Sequence, residues 1–268
     1  AADAVPTLLP LLPMAIEGMD SRLVDVVRHH MGSVPALPKG DGWLFCEVGP
    51  KPGDEELPEP QRLHSALEAA RELVAASGAL DARIVQEEAA LWRIRADGVG
   101  LAGRTPSGNQ AWPGWEDAAV PPENLGPYLR DFEALMRKYD LTGLPYGHFG
   151  DGCVHVRIDV PLEEENNVPA FASFMEDAAK LVGSYGGSIS GEHGDGRARG
   201  ALLPHMYSDR AIEVFEQFKG LFDPQNLLNP GVLVAPAPIT ASLRRPQARQ
   251  IQSKGFAFTE DHGDFTAA

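Results

Sequence analysis

"YGHFGDGCVHVRIDV", residues 146–160, decides how the chain folds. Asp151 and Gly152 stand between two segments, and the second segment alternates apolar and polar side chains. An Asp-Gly pair in that setting is the strongest short-range hairpin signal, because a type I′ turn needs positive φ at both central residues. The sequence therefore predicts an antiparallel hairpin. With a two-residue turn, Gly150 faces Cys153, Phe149 faces Val154, His148 faces His155 and Tyr146 faces Arg157. Directly opposed residues share a face, with Cβ atoms ~4.5–5.5 Å apart. Val154, Val156, Ile158 and Val160 then point to the core, and the two imidazoles meet on the opposite face. That face is either the solvated side of a half-buried sheet or the floor of a metal site. Cys153 reads as a third ligand or as a small packed side chain.

Outward from the hairpin the chain alternates strands and helices. The run "DSRLVDVVRHHM" sets Leu23, Val26, Val27, His30 and Met31 at helical spacing behind a Ser21 or Asp20 cap. "GWLFCEVG" (42–49) reads as a strand, and "QRLHSALEAARELVAASG" as a helix with Leu63, Ala66, Leu67, Ala70 and Val74 inward and Gly78 ending it. "DARIVQ" predicts a strand, "EEAALWRIRADGVG" a helix, and the Gly- and Pro-rich residues 100–115 a surface loop. "DAAVP" predicts a further strand, and "PENLGPYLRDFEALMRKYD" the helix that leads into the hairpin. "VPAFASFMEDAAKLVGSYGG" is a helix with Phe171, Phe174, Ala178, Leu181 and Val182 on one stripe, and "SDRAIEVFEQFKGLFDP" is another. The order implies α+β, an antiparallel sheet covered by helices. We divide the chain into a helical lead-in (1–41), a main domain (42–233) and a linker (234–268).

The 268 residues carry 38 acidic and 23 basic side chains, a formal charge of −15. No basic run builds a phosphate-binding groove, so no nucleic-acid partner is expected. Cys46 and Cys153 are too few for a disulfide framework and lack zinc-finger spacing, which points to a reducing compartment, the cytoplasm by default. No apolar run reaches the ~18–20 residues of a membrane span. Peripheral attachment to the inner face of a membrane stays open, as does the oligomeric state.

A second chemical signal lies in "GGSISGEHGDGRARG", 186–200, where Glu192 and His193 sit among six glycines. Glycine at this density marks a backbone that turns sharply or approaches something closely. Alone the Glu-His pair is a weak signal, more often surface than site. Joined to the hairpin it gives two imidazoles and a carboxylate, a set suited to zinc, iron or manganese with positions open for substrate.

"LWRIR" (91–95), "YGHFGDGCVHVRI" (146–158), "GGSISGEHGDG" (186–196) and "FDPQNLLNPG" (222–231) together resemble the C-terminal half of the FAD-linked 2-hydroxyacid dehydrogenases. That group contains glycolate oxidase, D-lactate dehydrogenases and D-2-hydroxyglutarate dehydrogenase. The resemblance covers residues 42–231 in the family's order and implies its ferredoxin-like cap domain. It implies that His148, His155 and Glu192 ligate a divalent metal, zinc or manganese with iron as a third candidate. It also implies that His193 is the acid/base and that Arg95, with Arg157 and Tyr146, contacts the carboxylate of a small 2-hydroxy acid. Arg95 also reads as a solvated helix charge. Asn229, in "LLNPG", would approach the flavin, although Asn-Pro-Gly is also a good turn.

The family holds FAD mainly through an N-terminal domain with a glycine-rich pyrophosphate loop, and nothing before Gly42 resembles one. The tail "FAFTEDHGDFTAA" resembles the stretch that precedes an iron-sulfur domain in longer fused relatives. We therefore expect this chain to be a piece of a flavin and iron-sulfur protein whose FAD-binding and iron-sulfur domains lie elsewhere. Three positions depart from the family pattern. Cys153 replaces an Asn after the hairpin glycine, Arg157 replaces a substrate-contacting Asn, and Trp115 and Glu116 stand where some relatives carry a Lys. Two rival functions remain at this point: a free-standing metalloenzyme using two His and one carboxylate, and a non-catalytic assembly domain.

Overall fold

The hairpin exists, and three further strands extend it. In the computed structural model, which describes residues 1–86, 89–101, 103, 109–162, 164–241 and 243, the strands are β1 (Ala15–Asp20), β2 (Gly42–Glu47), β3 (Trp112–Ala119), β4 (Gly143–His148) and β5 (Cys153–Ile158). They form an antiparallel sheet in the order β2-β1-β4-β5-β3. The helices are α1 (Val5–Leu8), α2 (Ser21–Met31), α3 (Glu59–Ser77), α4 (Ala89–Leu101), α5 (Leu125–Lys138), α6 (Val168–Ser184), α7 (Gly196–Arg199) and α8 (Asp209–Phe222). The class is α+β, as the element order predicts.

A ferredoxin-like unit is visible inside this sheet. β3, α5, β4, β5 and α6 follow one another, and after α6 the chain returns to the outer edge of β3. There Ala119 and Ser188 exchange both backbone bonds, at 2.9 and 2.7 Å. The spatial order is then bridge, β3, β5, β4, the split βαβ arrangement of a βαββαβ fold. β1 and β2 extend the free edge of β4.

The two sheet faces differ because the side-chain period is two. Ile16, Val154, Val156 and Ile158 join the larger core with Leu125, Tyr128, Phe132 and Met136 of α5 and Phe171, Phe174, Met175, Ala178 and Val182 of α6. Each large side chain fully buried there stabilises by about 1.5–3 kcal/mol relative to exposure. Trp115 donates its indole N–H to the Tyr128 hydroxyl at 2.9 Å, so neither polar tip is stranded. On the other face, Met19, Leu144 and Tyr146 pack with Leu23, Val24, Val26 and Val27 of α2 and Ile94 of α4. Asp20 caps α2, its Oδ1 accepting from the N–H of Arg22 at 2.9 Å.

Several expectations change. The hairpin turn is longer than two residues: Tyr146 opposes His155 and Leu144 opposes Arg157, with residues 149–151 in a 3-10 turn. Gly152 has φ +69°, and a Cβ there would lie 1.8 Å from the Val120 carbonyl oxygen, so only glycine fits at this position. The pairing slips by two residues, and a slip of two preserves the face of every side chain.

The residues read as a helical lead-in supply β1, the neighbour of both β2 and β4. "DARIVQ" is not a strand: Ile84 and Val85 are exposed, and the segment joins no strand among the described residues. In α3 the buried positions are Ser65 and Leu73, while Leu63 is exposed. In α2, Val24 is buried and His30 and Met31 are not. Of the loop predicted over 100–115, residues 102 and 104–108 lie outside the described residues, and Trp112 to Trp115 belong to β3. Residues 242 and 244–268, most of the predicted linker and the whole "FAFTEDHGDFTAA" tail, also lie outside them.

Past α8, Asp223 accepts from Lys219 Nζ at 2.6 Å and from the N–H groups of Leu227 and Leu228, both at 2.9 Å. These donors hold its carboxyl down at about 2. A depressed folded-state pKa adds stability above the unfolded value, lost as pH falls through the folded one. The Leu227 and Leu228 amide proton resonances are accordingly expected to shift together with a midpoint near pH 2. In Asp223→Asn that titration disappears.

Candidate metal and substrate site

Five separate segments meet on the polar side of the sheet. His148 ends β4, His155 lies in β5, Glu17 in β1 opposes His148, and Arg95 projects from α4. Glu192 and His193 arrive from the loop after the Ala119–Ser188 bridge. Because the shifted pairing keeps parity, both imidazoles stay on the same face, with ring centroids 5.4 Å apart and nearly perpendicular planes.

The orientation of each ring follows from what its Nδ1 meets. His155 Nδ1 bonds to the Glu116 carbonyl oxygen, which only accepts, so Nδ1 carries the proton and Nε2 keeps its lone pair. His148 Nδ1 lies 2.5 Å from Glu17 Oε1 and donates to that carboxylate. Both Nε2 atoms then face Glu192 Oε1, at 3.6 Å for His148 and 3.4 Å for His155. Ligands about 2.0–2.1 Å from one tetrahedral zinc stand roughly 3.3–3.4 Å from each other. The three atoms fit a common ion, and the Nδ1 bonds to a carboxylate and a carbonyl are the outer partners that orient metal-ligating histidines. Burial holds the pKa of His155 below the ordinary imidazole value, which favours the neutral, ligating form.

A bulge in β3 shapes the site's wall. Trp115 opposes Val156 and Ala118 opposes Val154, so Glu116 and Asp117 together face His155 alone. One extra residue re-aims side chains, and here two acids serve two tasks. Glu116 Oε1 lies 2.6 Å from Arg157 Nε. Asp117, fully buried, accepts from the N–H of Glu192 at 3.0 Å, the N–H of His193 at 2.9 Å and the Ser190 hydroxyl at 2.5 Å. Burial pushes its carboxyl up, but the donors from Ser190, His193 and Glu192, with Arg199 nearby, outweigh this and hold it below the usual carboxylate range. Asp117 thus fixes the backbone of Glu192 and His193.

His193 Nε2 is 3.3 Å from Glu192 Oε1, and its half-exposed ring stacks on His155, centroids 5.4 Å apart. Arg95 Nε pairs with Glu17 Oε2 at 2.8 Å, and its guanidinium lies 5.2 Å from the Tyr146 ring centre. Arg95 is therefore anchored in the site and not a solvated helix charge. Tyr146, buried, lies against His155. Cys153 is buried beside Asp117 with its thiol pushed up to about 12, first by burial and then by that carboxylate. It behaves as a packed side chain, not a ligand. Asn229 makes none of the contacts that tie this cluster together and stands exposed in the turn after α8. Sequence reasoning missed Glu17 and Asp117, whose roles depend on strand neighbours distant in the chain. Among the described residues, no helix is long and apolar enough to cross a membrane.

Comparison with known proteins follows the same lines. The chain is 27% identical over 253 residues to D-2-hydroxyglutarate dehydrogenase of Escherichia coli, covering 91% of this chain and 25% of that protein. It is 30% identical over 227 residues to D-lactate dehydrogenase of Archaeoglobus fulgidus, covering 84% and 46%. Against the glycolate oxidase protein GlcD of Escherichia coli the identity is 32% over 227 residues, covering 82% and 42%. The chain thus spans between a quarter and about half the length of these relatives. The family described as FAD linked oxidases, C-terminal domain, matches residues 1–233. With that match spanning the sheet, its helices and the polar cluster, the chain belongs to the FAD-linked oxidases as their C-terminal domain.

Proposed function

We propose that this chain is the substrate- and metal-binding domain of an FAD-dependent oxidoreductase that oxidises a D-2-hydroxy acid. The observation that carries the reading is the convergence of two Nε2 lone pairs and the Glu192 carboxylate on one point, each ring locked by a bond at its Nδ1. His148, His155 and Glu192 would hold a divalent ion, zinc or manganese fitting the N and O donors. When bound, the ion supplies Lewis-acid polarisation of the substrate hydroxyl, and a flavin held by the remainder of the protein supplies a hydride acceptor. Asn229, exposed in the turn after α8, would approach that flavin.

The chain's own residues bind, orient and move a proton. Arg95 flanks the cluster with a guanidinium suited to pairing the substrate carboxylate. His193 Nε2, beside the cluster and half-exposed, accepts the hydroxyl proton and passes it to solvent. Electrons would leave through an iron-sulfur domain joined by the residues after 234, in a cytoplasmic setting.

The test uses the full-length, flavin-containing protein under anaerobic conditions. Addition of a D-2-hydroxy acid is expected to bleach the flavin, and His193→Gln to slow the bleaching by about 10²–10⁴-fold. A flavin that stays oxidised with D-lactate, glycolate and D-2-hydroxyglutarate alike removes the proposal.

A further inference from the structure

Glu116 of β3 and Arg157 of β5 touch each other across adjacent strands. Trp115 turns into the core, fully buried, so Glu116 is the residue that faces the site, and its carboxylate pairs with Arg157 on the adjacent strand at 2.6 Å. Both side chains are about four-fifths buried, with exposures of 22% and 19%. The second candidate for carboxylate binding is matched in the same way, since Arg95 pairs with Glu17, and their side chains are 15% and 9% exposed. Each guanidinium on this face thus has a glutamate of its own.

Position along β5 gives the pairing its meaning. Arg157 follows His155 by two residues on the same face, about 6.6 Å further along the strand. A hydroxy acid gripped by its carboxylate and hydroxyl at His148, His155 and Glu192 would place the far end of a five-carbon chain at Arg157. A three-carbon chain would fall short. A second carboxylate arriving there meets a cation whose charge is already balanced, with the Glu116 carboxylate beside it, and like charges brought together under burial discriminate strongly.

We infer, on the reading given under Proposed function, that the Glu116 and Arg157 pair makes this site selective for monocarboxylic 2-hydroxy acids and sets it against dicarboxylic ones. The relatives' names include both classes of substrate. The pair acts by electrostatic exclusion and takes no part in proton transfer.

The experiment compares D-lactate with D-2-hydroxyglutarate in the full-length, flavin-containing protein, by kcat/KM and by the perturbation of the flavin spectrum on binding pyruvate or 2-oxoglutarate. The wild type is expected to favour the monocarboxylates by about 30-fold or more. Glu116→Gln keeps the side-chain shape and the backbone carbonyl that serves His155. It should narrow the ratio by about tenfold or more through a gain on the dicarboxylates. Adding Arg157→Asn to Glu116→Gln should cancel that gain, which assigns it to the released guanidinium. A wild type that prefers D-2-hydroxyglutarate, or a ratio unmoved by Glu116→Gln, overturns the inference while leaving the oxidase reading in place. Failure of both acids to reduce the flavin removes the oxidase reading and this inference with it.

Discussion

Replacing His148 and His155 together by alanine is expected to abolish stoichiometric binding of zinc or manganese, with a loss of affinity beyond about 100-fold. Asp117, Glu192 and His193 also lie close enough to share an ion, but the Asp117 carboxylate is already engaged by the Ser190 hydroxyl and the N–H groups of Glu192 and His193. Equilibrium dialysis followed by elemental analysis gives the result directly. Glu17→Gln is the finer probe, since it leaves all three ligand atoms in place and changes what His148 Nδ1 and Arg95 Nε meet. An amide there can accept less strongly and can also present N–H to the ring, so affinity should fall by about 10–100-fold. Arg95 loses its partner in the same variant. Equal metal content in wild type and the double histidine variant would remove the metal site.

Asp117→Ala carries the largest expected cost in stability. The wild-type carboxylate satisfies two backbone N–H groups and a hydroxyl in a place closed to water. Its removal strands those donors at about 1–3 kcal/mol each and leaves Arg199 with less counter-charge, a loss on the order of 3–5 kcal/mol in all. Chemical denaturation reads that change as a lower midpoint. Asp117→Asn keeps the shape but turns an N–H₂ toward a donor, so about 1–3 kcal/mol is expected. Both variants should also weaken metal binding, because the Glu192 backbone is no longer pinned. A midpoint and a metal affinity indistinguishable from wild type in Asp117→Ala would end its assignment as the residue that positions Glu192 and His193.

The hairpin shows what a sequence can carry and what it cannot. Which face each residue of 146–160 takes was legible from alternation alone, and the convergence of His148 and His155 depends on face, so it survived the slip in pairing. The register was not fixed by the Asp-Gly pair, because residues 149–151 form a 3-10 turn and lengthen the connection. β1 escaped notice because "AIEGMD" does not alternate apolar with polar: Ile16 and Gly18 face the core side, where the Phe149 ring fills the space over Gly18, and Met19 packs on the opposite face beside Glu17. "DARIVQ" has the composition of a strand, yet it joins no strand among the described residues. Pro113 and Gly114 argued for a loop, and an edge strand with a bulge opposite Arg157 accommodates both. Glu192 and His193 were legible as chemistry, while Asp117 beneath them became visible only once the chain's return to β3 was known.

That return, held by paired backbone bonds between Ala119 and Ser188 and a third from the Gly191 N–H to the Asp117 carbonyl, has a bearing on how the protein reaches its working form. Glu17 meets His148 across 131 positions of chain, and Asp117 meets His193 across 76, so the cluster is built from contacts of high sequence separation. Loop closure on this scale is entropically costly and is repaid only when the last segment docks. An ion bridging β4, β5 and the Glu192 loop would then favour the finished topology by mass action over any partly closed one, acting as a clasp on the last turn of the chain to arrive.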